Sequence, residues 1–264
     1  MFPVDEIKQS PEEAFILASE LLIKYRRVFA LSIFFKPGTE HCLSTRKAFD
    51  IAWAHKSGYK GGQKLTWGHW LAECIFPEIL YKVNEEDLLK LMADPRFYDE
   101  PSFHKKTTYH SHIGRMARPR KACNNTDYIG YLDYTIDRWR RDNHKSMPHF
   151  YFDVESPEWM FEELFKNPNQ IKSGRTAVSC TGNFSFRWDS KNKRPVLFQI
   201  LKHSQYSHLF GDFCGTAAFM RAFCKELKLD VNRAVVCLFA VSISMDGLKQ
   251  AKQFIKEVQG DDEA

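Results

Sequence analysis

Three runs of β-branched and aromatic residues most constrain what this chain can fold into: VFALSIFF at 28–35, PVLFQIL at 195–201 and NRAVVCLFAVSIS at 232–244. Each is far too short to cross a bilayer as a helix and too apolar to face water on both sides, so each reads as a buried strand. A fourth segment, HFYFDVE at 149–155, reads as a strand with Phe150 and Phe152 on one side and Tyr151 and Asp153 on the other. Between these runs the apolar residues recur at helical spacing, as in Phe15, Ala18, Leu21, Leu22 and Tyr25, or Ile129, Leu132, Ile136 and Trp139. The expected class is therefore α/β (α+β), a mixed sheet flanked by helices in a single domain spanning 1–264.

With 264 residues, 44% of them hydrophobic, the chain can bury a sizeable core. No 18-residue apolar run occurs and the N-terminus MFPVDEIKQS lacks the basic and apolar regions of a signal peptide, which predicts a cytoplasmic protein with no membrane partner. Seven cysteines, with no C-x-x-C pair, fit reduced thiols better than a disulfide framework or a zinc site. A net charge of +5 suits an anionic small ligand and does not call for nucleic acid.

Along the chain, Ser10-Pro11-Glu12-Glu13 reads as a capping box opening the first helix, which ends at Arg26-Arg27. An arginine pair there either clamps phosphate or complements the helix dipole. A helix over 44–53 and a flexible turn, SGYKGG, lead to LTWGHWLAECIFPEIL, a helix with Trp67, Trp70, Leu71, Cys74 and Ile75 on one face and Glu73 among aromatics. Burial of such a carboxylate raises its pKa and suits it to proton transfer, although a glutamate there can equally reach solvent or bond a backbone amide. An acidic helix from Asn84 precedes a basic, aperiodic segment, 95–126, whose His104, His110 and His112 have no third ligand at a convincing spacing, so no metal is expected. A helix over 127–142, a short one over 157–165, a last amphipathic helix after Met245 and an acidic tail at 259–264 complete the outline.

The stretch from Gly174 to Leu229 carries the chemistry-bearing residues. A polar alternating strand bears Cys180, with Phe184, Phe186 and Trp188 sharing a face. After the turn DSKNK and the strand PVLFQIL comes the polar segment KHSQYSH, then LFGDFCG, and a helix from about Thr216 to Leu227, where Cys214 and Cys224 read as packing residues.

The order of elements from about Asn125, with the cysteine in SCTGNF, resembles thymidylate synthase and the related pyrimidine-nucleotide hydroxymethylases. In that family a Cys on such a strand attacks C6 of the pyrimidine, and a segment R-S-x-D-x-x-x-G-x-P-F-N binds phosphate, folate and base. Here KHSQYSHLFGDFCG keeps Ser204 and Gly211, has Lys202 or His203 near the phosphate arginine, carries Asp212 beside the glycine and puts Gly215 where a base-reading Asn or Asp belongs. HWLAECIF resembles the helix of the family's catalytic glutamate, matching Glu73, whereas AVSIS at 240–244 retains none of the sugar-binding D-x-H-x-Y set.

The resemblance implies a homodimer that adds a methyl or hydroxymethyl group to C5 of a pyrimidine nucleotide, with methylenetetrahydrofolate as cofactor, Cys180 as nucleophile and Glu73 as proton-transfer group. The phosphate would fall to Arg26 or Arg27, Lys202, His203 and Ser204. With glycine at 215, no side chain pairs with the pyrimidine edge, which argues against ordinary deoxyuridylate specificity. A free thiol is only a few per cent ionised at neutral pH, so Cys180 needs a neighbouring cation, for which Arg175, Arg187, Lys202 and His203 are the candidates. The alternative is a catalytically silent homologue that binds nucleotide or acts as a scaffolding subunit.

Overall fold

The computed structural model describes residues 7–38, 43–60, 63–76, 78, 120–121, 128–129, 136, 140–141, 150–153 and 181–260. The first helix, α1 (Pro11–Tyr25), starts as its sequence dictates: Ser10 Oγ accepts from the Glu13 amide at 3.1 Å, and the Glu13 carboxylate reaches back to the Gln9 amide. It ends at Arg26, whose φ of 64° turns the chain directly into β1 (Arg27–Phe35). Then follow α2 (Leu43–Ala52), β2 (Ser57–Lys60), β3 (Gln63–Thr66) and α3 (Trp67–Ile75). Two-residue strands β4 (Arg120–Lys121) and β5 (Tyr128–Ile129) pair with each other, and β6 (Phe150–Asp153) precedes β7 (Thr181–Asp189) and β8 (Arg194–Leu201). Next come β9 (Ser204–Gln205), α4 (Tyr206–Glu226), β10 (Val235–Ser244) and α5 (Leu248–Gln259).

The main sheet runs β1-β10-β8-β7-β6, with β9 also on β10. β10 is parallel to β8 and antiparallel to β1, and the β7–β8 and β6–β7 pairs are antiparallel, so the sheet is mixed as expected. Asp189 sets the β7–β8 hairpin by accepting from the Asn192 amide and from Arg194 Nε. On its helix-covered face lie Phe35, Phe184, Phe186, Leu197, Leu201 and Leu238, all buried. Helix α4, apolar nearly all round, crosses this face as the centre of the core. Phe15 of α1 meets Phe210 and Phe254 at ring separations of 5.1 Å, Phe35 meets Phe213, and Phe186 stacks on Phe223. Such aromatic pairs add about 0.5–1.5 kcal/mol each beyond the area they bury.

Several sequence expectations are corrected. Helix α4 begins at Tyr206, not near Thr216, because Asp246 stands in for a missing cap: its carboxylate accepts from the Ser207 amide at 2.8 Å and from the Ser207 hydroxyl. A charge supplied from outside the helix leaves no local mark at its start. Likewise Thr66 makes no side-chain cap for α3, and Asp50 of α2 accepts from the Gly68 amide at 3.1 Å instead. Ser57–Lys60, read from sequence as part of a flexible turn, form β2 and pair with Gln63–Thr66. Tyr128 and Ile129, assigned by periodicity to a helix over 127–142, lie in β5. The helices expected from Asn84 and over 157–165, the three histidines of segment 95–126, and Cys180 fall outside the described residues.

Candidate functional site

Strand alternation decides which of the candidate residues can meet a ligand. β8 and β9 are one strand interrupted: Val235 pairs with Val196, Ala240 with Leu201, and Ile243 with Ser204, all at the same offset. On the other side of β10, Leu31 pairs with Ala240 and Val28 with Ile243. Leu201, Ala240, Ser204 and Ile243 are buried, and Leu31 and Val28 pack on the core. Two residues therefore separate successive inward positions on each of three adjacent strands, where regular alternation allows one. The intervening pairs, Phe29-Ala30, Val241-Ser242 and Lys202-His203, all sit in register, and apart from half-buried Ser242 they are exposed. Ala30 carries the backbone cost with a φ of 52°.

This shared kink turns a three-strand shelf outward. Phe29 pairs with Ser242, and His203 Nδ1 is hydrogen-bonded to Ser242 Oγ at 2.8 Å. One step along, Arg27 pairs with Ser244 and Ser244 with Gln205. Two rows result, Phe29–Ser242–His203 and Arg27–Ser244–Gln205, with Lys202 beside them and Arg26 at the entry to β1. Cations, hydroxyls and an amide on one accessible face can bind an anion by charge-assisted hydrogen bonds.

Ser204, by the same alternation, points inward. Its hydroxyl donates to Asp212 Oδ2 at 3.2 Å, Gln199 Nε2 donates to Asp212 Oδ1 at 3.4 Å, and the Thr216 hydroxyl donates to Gln199 Oε1. All four side chains are buried between the sheet and α4, and burial, opposed by the Ser204 and Gln199 hydrogen bonds, pushes the Asp212 carboxyl up to about 7. Gly211 and Gly215 lie one turn apart inside α4 and meet α3: a Cβ on Gly211 would fall 2.3 Å from Leu71 Cβ, and one on Gly215 2.4 Å from Ile75 Cβ. Of the eight residues expected to hold substrate, Ser204, Gly211, Asp212 and Gly215 are thus interior, and Arg26, Arg27, Lys202 and His203 are at the surface.

Glu73 is 3% exposed, on the side of α3 turned away from Leu71 and Ile75, with His69 Nε2 4.0 Å from its carboxylate one turn earlier. At the N-terminal end of the same helix Trp67 stacks on Trp70 at 5.0 Å, donates its indole N–H to the Ser207 carbonyl at 2.9 Å and receives the Lys56 ammonium over its face at 5.0 Å. Cys214 and Cys224, read as packing residues, are buried, and burial pushes each thiol up to about 12. No cluster of metal-ligating side chains occurs among the described residues, and no helix among them is long and apolar enough to cross a membrane.

Sequence reasoning passed over Phe29, Ser242 and Ser244. The break in alternation between Leu201 and Ser204, repeated between Ala240 and Ile243, shows only once register and burial are known, so no local pattern marked these residues. No family model matches this sequence, and no curated protein matches it.

Proposed function

We propose that the outward shelf of β1, β10 and β9 binds the phosphate of a pyrimidine nucleotide, and that the chain transfers a one-carbon unit to C5 of that base through a Cys180 adduct. The observation that carries the anion site is the convergence of Arg27, His203 and Ser242 from three strands onto one accessible face. Charge-assisted hydrogen bonds of this kind contribute roughly 1.5–3 kcal/mol each. The catalytic part rests on the resemblance to thymidylate synthase. The Cys180 thiolate would add to C6 and C5 would bond the one-carbon electrophile; loss of the C5 proton would expel the donor's carrier, water or a hydride from the donor would complete the hydroxymethyl or methyl group, and the thiolate would leave as the 5,6 double bond returns. Glu73, given the proton transfer by the resemblance, is buried on α3 on the α4 side of the sheet and does not face a base held on the outward shelf. A donor of the methylenetetrahydrofolate class would supply the carbon, and no described residue is assigned to it.

The test is release of tritium into water from a 5-³H pyrimidine nucleotide. Wild type is expected to exchange, and Cys180→Ser to lose exchange while keeping nucleotide affinity, since ground-state binding does not depend on the attacking sulfur. Equal exchange by wild type and Cys180→Ser would remove the cysteine from the mechanism.

A second reading, a silent nucleotide-binding subunit, is favoured by one observation. Gly215, at the base-reading position of the resemblance, is packed against Ile75 and presents nothing to a base. It predicts no exchange from any pyrimidine nucleotide. The homodimer implied by the resemblance belongs to this proposal too. It is supported by the sheet face opposite α4, where Phe34, Phe198, Ile200 and Phe239 are only half-buried.

A further inference from the structure

We infer that Phe29 is a stacking platform for the ring of a heteroaromatic ligand whose phosphate lies between Arg27 and His203. This rests on reading the shelf as an anion site and adds to it the class of molecule the anion belongs to. Phe29 is 67% exposed, more than any other large apolar side chain among the described residues. Its cross-strand partner is Ser242 and the next strand presents His203, so the row under the ring is polar, with exposed Val241 one position further along β10.

Backbone strain brackets the same three residues. Arg26 at φ 64° and Ala30 at φ 52° are both non-glycine residues in the left-handed region, immediately before Arg27 and immediately after Phe29. Such a conformation persists only where the surroundings demand it, a pattern concentrated at ligand sites. Arg26 ends α1, and Ala30 breaks the alternation before Leu31, so that Arg27 and Phe29 face outward while Val28 packs on the core. Two residues along a strand stand about 7 Å apart, the scale of the sugar that separates phosphate from base in a nucleoside monophosphate. The six residues of the two rows include arginine and histidine and no acid, which suits an anion at one end and a neutral ring at the other.

Calorimetric titration with uridine 5′-monophosphate, ribose 5-phosphate and inorganic phosphate separates the claims. Base–aromatic stacking contributes a free energy that corresponds to roughly 5- to 150-fold in affinity. The monophosphate is expected to bind tighter than ribose 5-phosphate by a factor in that range. Phe29→Ala should erase the difference and leave ribose 5-phosphate affinity unchanged, Phe29→Trp should retain it, and Arg27→Ala should weaken all three. Equal binding of monophosphate and ribose 5-phosphate by wild type overturns the platform and leaves the anion site standing, as does a preference that survives Phe29→Ala. Binding of none of the three overturns both. If Phe29→Ala dissociates an oligomer while the ligands bind alike, Phe29 is an interface residue and the inference fails.

Discussion

Asp212 shows how a single buried carboxyl ties stability to pH. Burial opposes the charge more than the Ser204 and Gln199 hydrogen bonds favour it, and pushes the carboxyl from the usual carboxylate range up to about 7. The native state therefore holds a proton that the unfolded chain releases, and stability from this group is complete below about pH 4 and declines as pH rises through 7. Asp212→Asn keeps a neutral, hydrogen-bonding side chain of the same shape. The variant is expected to match wild type near pH 3 and to exceed it by about 1–4 kcal/mol at pH 8, measured as the difference in urea midpoints. An equal gap at both pH values would show that Asp212 is not the titrating group. His203 and Ser204 illustrate the other residue-level lesson, since adjacent positions on one strand have opposite fates.

At the scale of elements, the α3–α4 contact depends on glycine. Gly211 and Gly215 recur at the four-residue spacing that lets helix backbones approach closely, and they face Leu71, Ala72 and Ile75 of α3. In an exposed helix, alanine at either site would gain about 1 kcal/mol in propensity. Here the added Cβ meets the Leu71 backbone carbon at 2.7 Å, and neither helix can give way without disturbing Phe210 or Phe213 in the core. Gly211→Ala is expected to destabilise by about 1–3 kcal/mol despite that gain, with a lowered denaturant midpoint at unchanged slope. A raised midpoint would mean that α3 moves freely on α4. These glycines looked from sequence like punctuation before a helix. Their helical role became visible only because Asp246, far along the chain, caps Tyr206–Glu226.

For the whole molecule, the proposed dimer is the quantity to measure. The outward face of β8 and β10 carries Phe198, Ile200 and Phe239, and a second copy of the same face would bury them. Light scattering at micromolar concentration is expected to return a dimer, and Ile200→Glu to shift it toward monomer with little loss of fold. A wild-type monomer would sink the proposal.

The strands in VFALSIFF and PVLFQIL, Phe150–Asp153 of HFYFDVE, Val235–Ser244 of NRAVVCLFAVSIS, the first helix with its Ser10–Glu13 cap, and the shared face of Phe184, Phe186 and Trp188 were all legible in the sequence. Each is set by period, local cap chemistry or apolar content within a few residues of itself. What only the tertiary structure decided is long-range: which strands neighbour β10, that Asp50 and Asp246 cap helices they do not belong to, and that three strands break alternation at one register. Pairing partners and register depend on contacts between residues as distant in sequence as Arg27 and Ser244, and no local pattern encodes them. That register turned Ser204 into the core and placed Arg27, Phe29, Ser242 and His203 side by side at the surface.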